Sequence, residues 1–228
     1  MGEHVVIAID GPVGSGKSTV ARALAARLGF RYLDTGAMYR AVTLKALREA
    51  VDLDDPDALT RVARSCRIEL AGSPGEPKVL LDGEDVSREI RSLEVTNSAF
   101  KPSQTPGVRR CMVELQRRVA AEGPLVAEGR DMGTVVFADS PAKFYLDASV
   151  DERARRRHGD YAARGDAISI EELKQQIIRR DERDSTRGAS PLRRADDAVY
   201  VDSSNRTIDE VVEHVISVLG KRELLGAR

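Results

Sequence analysis

The segment from Gly11 to Ser18, GPVGSGKS, satisfies the pattern G-x-x-x-x-G-K-[ST]. It sits between a short β-branched run, HVVIAI, and a stretch in which Val20, Leu24 and Leu28 recur at helical spacing. A strand that passes through a glycine-rich turn straight into a helix constrains the chain to an α/β layout. It also constrains the ligand. Glycines let the backbone curl with its N–H groups inward, the first helical turn adds partial positive charge, and Lys17 extends toward β and γ phosphates. Gly11, Pro12, Val13, Gly14, Ser15, Gly16, Lys17, Ser18 and Thr19 are therefore the candidate nucleoside triphosphate site, with the Ser18 hydroxyl placed to hold Mg²⁺.

The strand-then-helix rhythm returns along the chain. RYL precedes AMYRAVTLKALREA, PLVAE precedes a glycine turn, KFYLD precedes VDERARRRHGDYAARG, and AVYVD precedes TIDEVVEHVISVL. Short apolar strands alternating with helices predict a parallel sheet covered on both faces. Residues 65–102 break the rhythm: CRIELA, the turn GSPGEP and PKVLLDG read as hairpins, a small antiparallel insertion. Helical patterning resumes in VRRCMVELQRRVAAEG and stops at Gly123-Pro124. A length of 228 residues suits one α/β unit carrying insertions.

Charge and composition exclude several classes. With 36 basic and 37 acidic residues the net charge is −1, so a general affinity for nucleic acid or a membrane surface is not indicated. Cys66 and Cys111 have no metal spacing, and His4, His158 and His214 form no cluster. No basic segment precedes the short N-terminal apolar run, and a cytoplasmic location is expected.

The second strand runs into LDTGAMYR, which puts Asp34, Thr35, Tyr39 and Arg40 at the carboxyl end of a sheet strand, where open α/β sheets bind ligands. A second substrate there faces the γ-phosphate. No NKxD segment reads a guanine, and no long apolar strand ends in paired acids. Two other readings stay open: a nucleotide switch, and a nucleic-acid-associated ATPase using the arginine-rich segment near residue 155.

The segments GPVGSGKST, LDTGAMYRA, LDGEDVSREIRS, AEGRDMGTVVF and RDERDSTR occur in the order and spacing of the bacterial cytidylate kinase family, which the chain resembles over nearly its whole length. The resemblance implies an ATP:(d)CMP phosphotransferase with a P-loop nucleoside-monophosphate-kinase fold. Its parts would be a parallel five-stranded core (1–64 and 103–228), a CMP-binding insertion (65–102) and a lid (151–166). It implies Mg²⁺ with ATP as phosphoryl donor, CMP or dCMP as acceptor, and a monomer. The rival within the class is another small-acceptor kinase, for UMP, AMP or a shikimate-like alcohol.

By the same resemblance Asp131 would accept from the N4 amino group of cytosine and Arg109 would donate to N3 and O2, a pairing that uracil reverses. The residues themselves also allow Asp131 as a helix N-cap and Asp34 as the cap of the next helix. Where the family often has a serine, this chain has Phe100; Ser98 or Ser103 would substitute for it, or the Phe100 ring would pack on the base. Arg40, Arg130 and Arg187 would hold the acceptor phosphate, with Lys17, Arg130 and Arg187 acting in transfer. Arg153, Arg157 and Arg164 fall on one side of the lid helix, either as a closing clamp on ATP (Arg153, Arg157) or as an ordinary charged face. Arg180, Asp184 and Arg187 form one helical stripe, either an ordinary charge-paired face or, by the resemblance, an edge directed to sugar (Arg180, Asp184) and phosphate (Arg187).

Overall fold

The computed structural model describes residues 4–163 and 167–225. In chain order, β1 (Val6–Asp10), α1 (Lys17–Leu28), β2 (Arg31–Asp34) and α2 (Thr35–Arg48) open the core, followed by α3 (Pro56–Ser65). The excursion holds β3 (Ile68–Ser73), β4 (Glu76–Leu81) and β5 (Glu84–Asp85), then α4 (Leu93–Ser98) and α5 (Phe100–Gln104). The chain returns through α6 (Pro106–Ala120), β6 (Leu125–Gly129) and β7 (Ala142–Asp147). It finishes with α7 (Val150–Ala162), α8 (Ile170–Thr186), β8 (Val199–Asp202) and α9 (Ile208–Lys221).

The main sheet is parallel, in the order β2-β6-β1-β7-β8. Alternation along the central strands splits the core into two layers. Ala8, Leu125 and Ala127 face α2, α3 and α6, whereas Ile7, Ile9 and Val126 face α1 and α9. Such two-sided burial is why β1 and β6 read as continuous apolar runs. The chain leaves β1 toward β2 on one side and leaves its neighbour β6 toward β7 on the other, so connections from these two adjacent strands run in opposite directions. A crevice opens at that switch point, outside the carboxyl ends of β1, β2 and β6.

The expected antiparallel piece is a three-stranded sheet, β3-β4-β5, over residues 68–85. The rest of the excursion, 89–104, is helical instead. Ser92 caps α4 by accepting from the Val95 amide, and a single 3₁₀ turn at Glu89–Arg91 precedes it. The insertion has no core of its own: Leu81, Val86, Ile90 and Val95 pack with Met38, Val42 and Leu44 of α2 in one cluster. Burying those side chains outweighs the solvent-screened pairs Arg48–Glu84 and Lys45–Asp82. The insertion is thus fixed to the helix whose first turn lines the crevice. A smaller cluster, Ala154, Leu173 and Ile177, joins α7 to α8, and Val13 packs against it.

Candidate active site

The crevice is a cavity of 1210 Å³ that runs from the phosphate loop to α5 and α8. At one end lies the loop itself. A Cβ on Gly11 would fall 2.0 Å from the Leu146 carbonyl oxygen, so only glycine lets β1 turn there. Gly16, at φ 86°, supplies the left-handed residue before α1. Lys17 is buried and donates from Nζ to the Pro12 carbonyl, 3.0 Å away. Burial, aided by the Arg130 charge, lowers its ammonium to about 7, against the pull of Glu128.

The loop is tied to the neighbouring strands by a carboxylate. Ser18 Oγ donates to Glu128 Oε2 at 2.8 Å, and the Tyr32 hydroxyl donates to Glu128 Oε1. Burial and the nearby Asp34 raise the Glu128 carboxyl, and burial raises the Tyr32 phenol strongly. The Ser18 hydroxyl and the Glu128 carboxylate are hard oxygen donors at the mouth of the loop. Among the described residues no group of three His, Cys, Asp or Glu side chains could cage a metal.

The other end of the cavity is built from α2, α6, the turn after β6, and α8. Asp34 both caps α2, accepting from the Ala37 amide at 2.9 Å, and pairs with Arg40 at 3.0 Å. Burial would raise its carboxyl, but the Arg40 charge and that amide hold it below the usual carboxylate range. Thr35 Oγ1 donates to the Glu128 carbonyl at 2.7 Å. Arg109 and Asp131 form a buried ion pair, with the Arg109 guanidinium 5.7 Å from the Tyr39 ring centre and donating to the Ser103 carbonyl. Arg187, the residue closing α8, comes within 3.8 Å of Asp131. Arg130 donates to Asp184 at 2.9 Å, and burial lowers the neighbouring Arg180 to about 10.

Most of the residues singled out in the sequence thus line one cavity: Val13, Gly14, Ser15, Gly16, Lys17, Ser18 and Thr19 at one end, and Thr35, Tyr39, Arg40, Arg109, Arg130, Asp131, Arg180, Asp184 and Arg187 toward the other. Gly11 and Pro12 shape the loop behind it. The two lid arginines part company. Arg157 faces the cavity and stacks on Tyr161, 5.6 Å from its ring centre. Arg153 is buried under the loop instead, donating to the Val13 and Ala148 carbonyls and pairing with Asp181 at 2.6 Å. Arg164 lies outside the described residues. Phe100 lines the cavity beneath Arg183, whose guanidinium lies 4.5 Å from the ring centre.

Sequence reasoning missed several members. Arg156 donates to the carbonyls of Ser15 and Ser203, and Arg183 forms the Phe100 contact. Both are hidden in arginine-rich runs where spacing does not rank one cation above another. Glu128 stands out as the one charged side chain in the apolar strand LVAEG, though nothing in the sequence says what it meets, and Tyr32, between Arg31 and Asp34 in RYLD, carries no such signal.

A family model described as cytidylate kinase matches residues 7–221. The cytidylate kinase of Desulforamulus reducens is 51% identical over 97% of this chain and 99% of its own length. That of Rhodococcus opacus is 48% identical over 97% of each. Among solved structures, an uncharacterized protein from Eubacterium ventriosum superposes with a TM-score of 0.54 at 14% identity, covering 96% of this chain and 99% of that one, a likeness of fold alone. With a family match across almost the whole α/β core and relatives near one-half identical end to end, the chain belongs to the cytidylate kinase family.

Proposed function

We propose that the protein transfers the γ-phosphoryl group of ATP to CMP or dCMP, giving ADP and CDP or dCDP, and that residues 65–102 help form the acceptor site. The observation that carries it is the buried Arg109–Asp131 pair, held in the same cavity as the phosphate loop. Each group satisfies the other, which avoids leaving a naked buried charge. Cytosine presents the same complement, a donor at N4 beside acceptors at N3 and O2. Asp131 accepts from N4 and Arg109 donates to the ring acceptors.

The acceptor phosphate meets Arg40, Arg130 and Arg187, whose flat forks hold two oxygens at once and offset repulsion between two polyanions. Arg180 and Asp184 sit where they reach the pentose. Lys17 and the loop amides hold the β and γ phosphates, and Arg157 covers them from α7. No side chain has to act as base, because positioning and charge stabilisation supply most of the acceleration in phosphoryl transfer. Ser18 and Glu128 fit Mg²⁺, which keeps most of its waters and takes only one or two protein ligands besides substrate phosphates. Bound there, it would neutralise charge between the β and γ phosphates. The protein is read as a monomer, and a cytoplasmic location, where ATP and CMP are both available, belongs with this function. Among the described residues no helix is long and apolar enough to cross a membrane.

A coupled ADP-release assay across CMP, dCMP, UMP, AMP and shikimate tests the proposal. Turnover with CMP or dCMP at least about 10²-fold above the others in kcat/KM is expected. Equal rates with UMP would overturn the base assignment.

A further inference from the structure

Directly after Asp131 the chain makes a short π-helical turn, Met132–Val136, of the kind that recurs at functional sites. Asp131 occupies the N-cap position of that turn, where an aspartate ordinarily folds its carboxylate back onto the first free N–H groups. Here it makes no such bond; its carboxylate faces Arg109. The orphaned amides are satisfied from another strand. Asp10, the last residue of β1, accepts from the Met132 amide through Oδ1 and from the Gly133 amide through Oδ2, both at 2.8 Å, and is itself only 3% exposed.

We propose that Asp10 is a positioning residue for acceptor recognition: it caps the turn in place of Asp131 and so releases the Asp131 carboxylate to read the base. The role rests on the assignment of Asp131 to cytosine N4. If Asp10 is removed, two buried N–H groups lose their acceptor, and the nearest replacement is Asp131 itself. Turning back to cap the turn withdraws it from Arg109 and from the base. Burial raises the Asp10 carboxyl to about 6, so the site retains a carboxylate in a place that disfavours one, in keeping with a job beyond packing. Asp10 also stands next to Gly11. The turn that follows Arg130 and Asp131 is thereby tied to the end of β1.

The experiment is steady-state kinetics with CMP and UMP for the wild type, Asp10→Ala, Asp10→Asn, Asp131→Asn and the double variant Asp10→Ala/Asp131→Asn, with thermal melts alongside. Asp10→Ala should narrow the CMP to UMP ratio of kcat/KM by about tenfold or more and raise KM for CMP, while KM for ATP moves by less than about threefold. Asp10→Asn, with one acceptor oxygen left, should fall between, and it decides the matter should Asp10→Ala not fold. The double variant should discriminate no less than Asp131→Asn alone, because both changes remove one interaction. A lowered melting temperature with the wild-type ratio retained in folded Asp10 variants, while Asp131→Asn narrows it, would overturn the role of Asp10 and leave base reading by Asp131 standing. An unchanged ratio in Asp131→Asn would overturn both.

Discussion

Arg130 donates from Nε to Asp184 Oδ2 across 2.9 Å, joining the turn after β6 to α8. By spacing alone Asp184 looks like the i, i+4 partner of Arg180, a pair worth a few tenths of a kcal/mol, about 0.3–0.5. It reaches over the cavity instead, and so holds an arginine where the acceptor phosphate is expected. Asp184→Ala should raise KM for CMP by about tenfold and lower kcat, with KM for ATP little changed, because a loosened Arg130 misaligns the attacking phosphate. Normal acceptor kinetics with a slightly lowered melting temperature would return Asp184 to a structural role.

Arg187→Ala should be harsher. It removes positive charge where negative charge must be held, and losses on the order of 10²–10³ in kcat are expected. Single-turnover rates at saturating CMP and ATP separate this from weakened binding. A variant that regained full rate at high CMP would show that Arg187 only binds.

The stability of the free protein should carry the signature of Lys17. Burial lowers its folded value to about 7, while in the unfolded chain it stays near the ordinary 10.5. Between those values the unfolded chain binds more protons, so stability rises with pH across the window, by up to about 1.4 kcal/mol per pH unit from this one group. Urea denaturation of nucleotide-free protein at pH 7, 8 and 9 should show the rise, and Lys17→Met should flatten it. The same slope in both proteins would contradict the lowering of Lys17 by burial.

Tyr32→Phe deletes the hydroxyl that fixes Glu128 and leaves the ring in place. With Glu128 free to turn, Ser18 loses a defined orientation, and kcat should fall about 3–10-fold with a raised Mg²⁺ requirement. KM for CMP should stay within about twofold. A wild-type kcat at every Mg²⁺ concentration would show that the bond has no part in transfer.

The α/β core is legible in the sequence because strands buried on both faces need uninterrupted apolar runs, and the Gly11–Ser18 segment admits few other conformations. The hairpins of the insertion show through their glycine and proline turns. Helices α4 and α5 do not, since one or two turns carry too little periodicity to register. Among site residues, the ones whose chemistry is local are readable: the loop, and Asp34 as a cap. Those whose meaning depends on a second strand are not. Asp10 looks like a turn residue until the Met132 and Gly133 amides appear opposite it, and Glu128 looks like a strand end until Ser18 and Tyr32 meet it. Nor does helical spacing separate Arg153 from Arg157: both lie on one face of α7, yet one braces Val13 from below and the other lines the cavity.

Following the label from [γ-³²P]ATP in the presence of CMP and Mg²⁺ tests the central claim most directly. The account predicts that the label appears in CDP, in step with ADP release, and that inorganic phosphate stays a minor product because transfer takes place in a cavity walled by α7 and α8 that limits access of water. Label recovered chiefly as inorganic phosphate, at a rate indifferent to CMP, would contradict it.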